Sequence, residues 1–415
     1  MADGYIPARR GELIAAMAGA APPAGEEARF GELARILSAI LHYEAHEALE
    51  ELKDLYAPLD PDAPPARRAT GDEALKKFEA AFGLALKKAN FDEVELADSD
   101  VGRTQLTADL KLKTSDAGIR SIRFFARGAH QEAARIGGVF GLFKKKVEAE
   151  IVDDVIVVVA FKDEDEIERR DRKAFAAMRR GMRPGAVLVK HFRHVARAEL
   201  ITLHPGAKPT MKPRDQVFLA VPAVAGGVPV LLQLWPALTV LFTLLAIWFG
   251  ARGVIENSQL QQAVAALSGL IAVGAFVLRQ KMKYERQSLL YQKQLADTVY
   301  FRNLANNAGV LDALIGAGEE QDSKEALLAY WILLKANAPM AKADIDKAAE
   351  AFLAERFGLA VDFEIGDALG KLERLGLVAR EGEALRAAPI AESLARLDSA
   401  WDAFFKYQQT AAAAE

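Results

Sequence analysis

Hydrophobic positions near the N-terminus recur at helical spacing. Between residues 26 and 56, apolar side chains return every three or four positions, which predicts an amphipathic helix with a wide buried stripe. Two shorter helices are predicted over residues 11–20 and 72–89, and proline-rich stretches separate the three segments. The chain therefore begins with a helical layer.

The pattern changes to strand spacing after Asn90. Residues 106–113 alternate apolar and polar side chains, which is the period of a strand with one face in water. Further strands are predicted over residues 119–127, 146–152, 155–162 and 186–192. The unbroken apolar run 155–161 suits a central strand covered on both faces. With a charged helix predicted over residues 163–182, residues 1–205 read as an α+β domain with an antiparallel meander.

The longest hydrophobic stretch runs from Val217 to Leu278. No ionisable residue lies strictly between Asp215 and Arg252, or between Glu256 and Arg279. Because a bilayer core of roughly 30 Å needs about 20 apolar helical residues, this stretch predicts a transmembrane hairpin. Its spans are predicted at residues 231–250 and 259–278, with a small-residue face on the second that would pack against the first. The alternative is a helical hairpin buried in a large core.

The charges around this stretch predict an orientation. Several lysines and arginines flank it on both sides, whereas the connecting loop has only Arg252 and Glu256. By the positive-inside rule, both termini face the cytoplasm. The fold class predicted here is an α+β membrane protein, with residues 206–283 as the membrane region of a multi-pass protein in the bacterial inner membrane.

The C-terminal part is predicted to be helical with one small hairpin. Residues 284–320 form a helical stalk, interrupted near residues 306–309, and residues 321–408 form a separate winged-helix-like domain. Its elements are helices over 323–337, 342–357 and 363–375, a hairpin over 377–386 and a helix over 389–405. The third helix would read DNA in a DNA-binding version. Its mixed, slightly acidic charge favours contact with a protein, and DNA binding is the alternative.

Composition and charge narrow the chemistry. The 415 residues contain 53 Lys and Arg against 57 Asp and Glu, so there is no global positive field to drive nonspecific nucleic-acid binding. The absence of cysteine excludes disulfides, thiolate metal sites and cysteine nucleophiles. The first ten residues lack the apolar run of a secretory signal. No complete catalytic constellation is found, and no cofactor is predicted.

An apolar loop beside three cations is one candidate binding site. Phe140 and Phe143 directly precede Lys144, Lys145 and Lys146. Such a loop is predicted to dip into an anionic lipid interface or to contact a partner, since each lysine contributes about 1 kcal/mol near an anionic leaflet. The alternative is a hairpin packed on its own domain.

A second candidate lies beyond the hydrophobic stretch. Residues 300–309 bring Arg302, Asn303, Asn306 and Asn307 close together. An arginine and several amides can bind a phosphate, a lipid headgroup or a partner. The alternative is structural, because the same side chains can cap and lock a break between two helices.

Histidine spacing indicates a candidate metal site. His42 and His46 lie four residues apart on one helix face, a spacing at which two imidazoles can reach one ion. No third ligand is identifiable, so a solvated or packing helix face is the alternative. The later histidines His191, His194 and His204 are predicted to be surface residues.

Several segments resemble a known family. They are residues 5–10, 41–46, 125–128, 190–193, 221–227, 300–310 and 324–330. The chain resembles the domain of unknown function 3754 family, which includes the transmembrane-protein-143-like proteins. The resemblance implies a membrane protein without an agreed activity, and it supplies no catalytic residues.

The functional expectation is a membrane-anchored, cytoplasm-facing scaffold, sensor or assembly factor. Its expected partners are the lipid bilayer and an unidentified protein, with a homo-oligomer as a further possibility, and nucleic acid is not expected. The alternatives are a membrane-tethered metal-dependent hydrolase that uses His42 and His46, and a membrane-linked DNA-binding regulator.

Overall fold

The computed structural model describes most of the chain. It covers residues 4–20, 26–68, 72–95, 111–136, 145–179, 183–210, 242–243, 245–250, 257–363 and 365–404. The helices are α1 (Arg10–Gly19), α2 (Glu27–Tyr56), α3 (Asp72–Lys88), α4 (Arg172–Arg179), α5 (Asn257–Arg302), α6 (Ala308–Ala336), α7 (Lys342–Phe357), α8 (Ile365–Arg374) and α9 (Ile390–Ala403). Short 3-10 helices span Pro65–Arg67 and Arg197–Leu203.

The strands form three antiparallel sheets. Their bounds are β1 (Asp92–Val94), β2 (Lys111–Lys113), β3 (Ile119–Ile136), β4 (Lys145–Phe161), β5 (Val187–Ala196), β6 (Lys208–Thr210), β7 (Asn303–Asn306), β8 (Met340–Ala341), β9 (Val378–Glu381) and β10 (Ala384–Ala387). The main sheet has the order β1-β3-β4-β5-β7. The smaller sheets are β8-β10-β9 and the pair β2-β6.

The predicted antiparallel sheet is confirmed, with β4 as its central strand, but the two strands predicted over residues 146–152 and 155–162 form one continuous strand. β4 pairs with β3 from Ile136↔Lys145 to Ile119↔Phe161, and it pairs with β5 on its other side. Alternate β4 residues face two cores: Ile156 and Val158 pack under the helices, while Val155 and Val157 pack on the opposite face. Both faces of β4 are therefore covered, as its continuous apolar run predicts.

The helices follow the apolar periodicity closely. α1, α2 and α3 begin and end within one residue of the predicted bounds. The charged helix predicted over residues 163–182 is shorter in the structure, because its first residues form turns and α4 begins only at Arg172. Most of the predicted strand 106–113 lies outside the described residues, and only its last three residues are seen, as β2.

The predicted transmembrane hairpin needs correction. In the part of the chain that the structure describes, no helix has both the length and the apolar character required to cross a bilayer. The second predicted span, residues 259–278, is the first part of α5, which runs on through Arg279 and Lys281 to Arg302. The first predicted span lies mostly outside the described residues. The fold class with a transmembrane hairpin and the placement in the bacterial inner membrane are both contradicted.

The error has a physical cause. Residues 259–278 carry no charge, but they begin with Gln259, Gln261 and Gln262 and include many alanines and glycines. Small side chains remove little apolar area from water per residue. A long stretch without charges is therefore weak evidence for a membrane span when many of its side chains are small.

The C-terminal elements have the order of a winged-helix fold. The end of α6, then β8, α7, α8 and the hairpin β9–β10 follow one another, and β8 pairs with β10. α7 has the predicted bounds, and α8 and α9 differ from theirs by two residues or fewer. We call residues 321–404 the winged-helix-like unit.

Two long helices connect this unit to the main sheet. α2 and α6 contain 30 and 29 residues, each about 45 Å long at 1.5 Å per residue. The first half of α2 and the second half of α6 share a core with α1, α7, α8 and α9. Their opposite halves pack with α3 on the sheet. We call α2 and α6 the spine. The predicted domain boundaries stay predictions. At residue 320, where the stalk is predicted to end, α6 continues without a break.

Candidate functional site

The cations of α8 are bound to carboxylates of the same chain. Lys371 is largely buried between Asp322, at 2.7 Å, and Asp367. Burial lowers the pKa of Lys371, but these two carboxylates outweigh it and raise the pKa above its ordinary value. Arg374 donates two hydrogen bonds to Glu44 on α2, at 2.7 and 2.9 Å. The helix that would read DNA therefore offers no free cation.

The hairpin shows the same pairing. Arg380 contacts Glu373 at 2.9 Å, and Arg386 contacts Glu381 at 2.8 Å. Over residues 321–404 there are fifteen Asp and Glu against ten Lys and Arg. The face formed by α8 and the hairpin is consequently neutral or acidic, whereas DNA-binding surfaces carry a positive field.

A shallow groove lies along α7 on the same unit. It has a volume of about 510 Å³. Five of its lining residues are apolar and three are charged, and together they are Lys347, Glu350, Ala351, Ala354, Leu359, Ala360, Val361 and Asp362. Beside it, burial together with the neighbouring Glu350 and Asp362 raises the pKa of Asp346 above its ordinary value. We call this feature the acidic groove, because Glu350, Asp362 and the adjacent Asp346 outnumber its one cation, Lys347.

A second group of polar side chains is buried at one face of the main sheet. Arg127 on β3 donates two hydrogen bonds to Asp154 on β4, at 3.1 and 2.8 Å. Asp154 also contacts His191 on β5 at 3.0 Å. All three residues are at most 7% exposed. We call Arg127, Asp154 and His191 the polar centre.

The electrostatics of the polar centre stabilise its charges. Burial alone raises the pKa of Asp154, but hydrogen bonds and charge from His191 and Arg127 outweigh it and lower the pKa to about 2. The Arg127 guanidinium lies between the rings of Tyr5 and Phe91, 4.5 and 4.6 Å from their centroids, and it also donates to the Ala89 carbonyl. These contacts join β3, β4 and β5 to the segment that contains Tyr5 and so help to hold the structure together.

The N-terminal residues are held next to the polar centre by α6. The Gln321 side chain accepts a hydrogen bond from the Ile6 N–H and donates one to the Ile6 carbonyl, both at 3.1 Å. The Lys324 ammonium donates to the carbonyls of Ile6 and Ala8, at 2.8 and 3.0 Å. Burial lowers the pKa of Lys324, although Glu320 at 3.4 Å opposes this effect.

The candidate residues around position 302 make internal contacts. Arg302 forms an ion pair of 2.9 Å with Glu199, whose side chain is 1% exposed. Asn303 and Asn306 belong to β7, which extends the main sheet beside β5. Asn307 exchanges two hydrogen bonds with the backbone of Val189 and precedes α6. These contacts favour the structural alternative, a lock between α5 and α6, over a ligand site.

The loop candidate falls largely outside the described residues. Phe140, Phe143 and Lys144 are not described, while Lys145 and Lys146 begin β4 and pair with Ile136 and Arg135. Its role in lipid or partner binding stays a prediction.

The histidine candidates are distributed over the structure. His42 and His46 are exposed on α2, and His42 contacts Glu319 at 2.8 Å. Among the residues described, no three His, Asp or Glu side chains are grouped so as to hold a metal ion. The prediction of surface histidines is wrong for His191 and His204, which are 3% and 6% exposed, because each is buried against a carboxylate.

Sequence reasoning did not assign a role to the residues that the structure brings together here. Tyr5, Arg127, His191 and Lys324 all lie in segments for which the sequence predicts a family resemblance. These segments are far apart along the chain but meet at the polar centre and its N-terminal neighbour. The sequence signal that these four residues share is the predicted resemblance. The contacts between them appear only in the folded structure.

Comparison with known proteins yields one family. Residues 152–309 match the family described as Protein of unknown function (DUF3754). Over these residues the chain is similar to the DUF3754 family. The DUF3754 segment includes Asp154, His191, Arg302 and Asn307, so it covers two members of the polar centre and the lock between α5 and α6. The DUF3754 match confirms the predicted family and leaves the narrower likeness to transmembrane-protein-143-like proteins without confirmation. No curated protein and no solved structure matches the chain significantly.

Proposed function

We propose that the chain is a non-catalytic scaffold whose winged-helix-like unit binds a protein partner through the acidic groove and the adjoining surface. The observation that carries the proposal is the pairing of every Lys and Arg on α8 and on the hairpin with a carboxylate of the same chain. A surface of this kind lacks the cations that phosphate contacts need.

The architecture supports a scaffold role. The spine runs from the main sheet to the winged-helix-like unit, and its two helices contribute to both cores. Rigid elements position a binding surface better than loops do. The acidic groove would then be held in a fixed relation to the sheet, which suits a protein that brings partners together.

The chemistry of the partner follows from the groove. Its apolar residues Leu359 and Val361 call for an apolar anchor. Glu350 and Asp362 outnumber the one cation of the lining, Lys347, and so call for basic side chains. Opposite charges on the partner would chiefly raise the association rate and select the partner. The expected partner is therefore a protein with a basic, partly apolar segment.

A DNA-binding assay tests the proposal. Fluorescence anisotropy with duplex DNA at low salt, about 50 mM, should show no salt-dependent binding by the full chain. The triple variant Glu44→Gln, Glu373→Gln and Glu381→Gln releases three arginines from their carboxylates and should gain measurable binding. Salt-dependent DNA binding by the unaltered chain would instead support a DNA-binding regulator. If the triple variant gains no DNA binding, the ion pairs are not the reason that these arginines fail to bind DNA.

A further inference from the structure

The residues before α1 are bound through their backbone. Residues 5–8 form neither helix nor strand. Gln321 satisfies both backbone groups of Ile6, and Lys324 donates to the carbonyls of Ile6 and Ala8. Side chains that read a backbone in this manner are typical of a groove that holds an extended peptide.

The groove is built from buried polar groups that require an occupant. Gln321 is 1% exposed and Lys324 is 2% exposed. Without residues 5–8 these groups would lose most of their hydrogen-bond partners named above, and a buried donor or acceptor without a partner is costly. Water or another chain segment must take the place of residues 5–8 whenever they leave.

The side chains of the segment define what the groove accepts. The Tyr5 ring covers the Arg127 guanidinium, with the cation 4.5 Å from the ring centroid. Ile6 is 0% exposed and fills a pocket of the core shared by α1, α2 and α6. Pro7 has no N–H and so leaves no backbone donor to satisfy. An aromatic residue, a branched aliphatic residue and a proline in succession match these three positions.

We propose that α6 and the polar centre form a peptide-binding groove, that residues 5–8 occupy it as an intramolecular ligand, and that it accepts an extended aromatic–aliphatic–proline segment from a protein partner when they leave. This binding site is separate from the acidic groove, and it does not depend on the function proposed for that surface.

A peptide-binding experiment on the full chain tests this proposal. The variant Ile6→Asp expels the chain's own segment, because a carboxylate cannot enter the apolar pocket without a large desolvation cost. A fluorescent peptide with the sequence of residues 4–10 is then titrated into the unaltered chain and into this variant, with anisotropy as the readout. The variant should bind the peptide at least tenfold more tightly than the unaltered chain, whose groove is occupied.

Two substitutions identify the groove. In the Ile6→Asp background, Lys324→Met should weaken peptide binding at least tenfold. Lys335→Met, on an exposed position of the same helix, should leave binding unchanged. A peptide with Asp in place of the isoleucine should not bind.

Three results would overturn the proposal. One is a folded Ile6→Asp variant that does not bind the peptide, and another is equal binding by the unaltered chain. The third is loss of folded structure in Ile6→Asp, judged by circular dichroism and gel filtration, because residues 5–8 would then be a fixed part of the core.

Discussion

Replacing Asp154 by asparagine is the sharpest test of the polar centre. The substitution keeps the shape of the side chain but removes the charge that Arg127 and His191 face at 2.8 and 3.0 Å. Arg127 is 7% exposed, so its guanidinium would be left buried without a counter-charge on Asp154. Removing one partner of a buried ion pair typically costs about 3–5 kcal/mol.

The pKa of Asp154 gives a second, smaller value for the stability that its charge contributes. It falls from 3.8 in the unfolded chain to about 2 in the folded protein, and each pKa unit corresponds to about 1.4 kcal/mol. The charged form therefore contributes about 2 kcal/mol of stability. Because the folded pKa is the lower one, this contribution is present above about pH 4 and is lost as the pH falls toward 2. We expect Asp154→Asn to lower the free energy of unfolding by about 3 kcal/mol at pH 7.

Urea denaturation followed by circular dichroism measures this change. Arg193→Met is the matched control, since Arg193 contacts the same carboxylate at 3.3 Å but its side chain is 60% exposed. An exposed pair contributes about 0–1 kcal/mol, so the control should change little. A loss below about 1 kcal/mol for Asp154→Asn, or a loss equal to that of the control, would refute the reasoning.

Three further predictions concern other polar contacts within the chain. Asn307→Ala removes the side-chain acceptor of the Val189 N–H and places alanine at a φ of 50°; it should cost about 1–2 kcal/mol and accelerate hydrogen exchange of the Val189 amide. Tyr330→Phe removes hydrogen bonds to the Ala388 carbonyl and to Ser393, and urea denaturation should show a loss of about 1–2 kcal/mol. Burial lowers the pKa of His204 below 6.5, so stability should fall as the pH drops below that value, and His204→Asn should reduce this dependence in thermal unfolding.

Periodicity predicted most of the helices because it is a local signal. α2 and α7 follow from spacing alone, since their buried stripes are continuous. The division of β4 into two predicted strands is wrong, because Asp153 and Asp154 continue the strand. Asp154 is tolerated inside the strand because Arg127 forms an ion pair with it and His191 forms a hydrogen bond with it, and both of these partners lie more than 25 residues away.

The elements that the sequence does not predict depend on contacts between residues that are far apart along the chain. β7 is only four residues long, and it becomes a strand through pairing with β5, more than 100 positions earlier. The spine also became visible only in the structure, because α6 spans a segment predicted as the end of a stalk and the start of a separate domain. Arg302 and Asn307 are predicted to bind a lipid headgroup or a partner, and this stays a prediction, but their contacts with Glu199 and Val189 are internal to the chain.

The central claim is that the acidic groove contacts a protein. Site-specific photo-crosslinking in cells that naturally contain the chain tests it directly, with a benzophenone side chain placed at Ala360 in the groove. The control position is Leu84, which is 67% exposed on α3, outside the winged-helix-like unit. The account predicts a discrete protein adduct from Ala360 that is absent from Leu84 and lost in a Glu350→Lys, Asp362→Lys variant. An adduct with nucleic acid, or the same adducts from both positions, would contradict it.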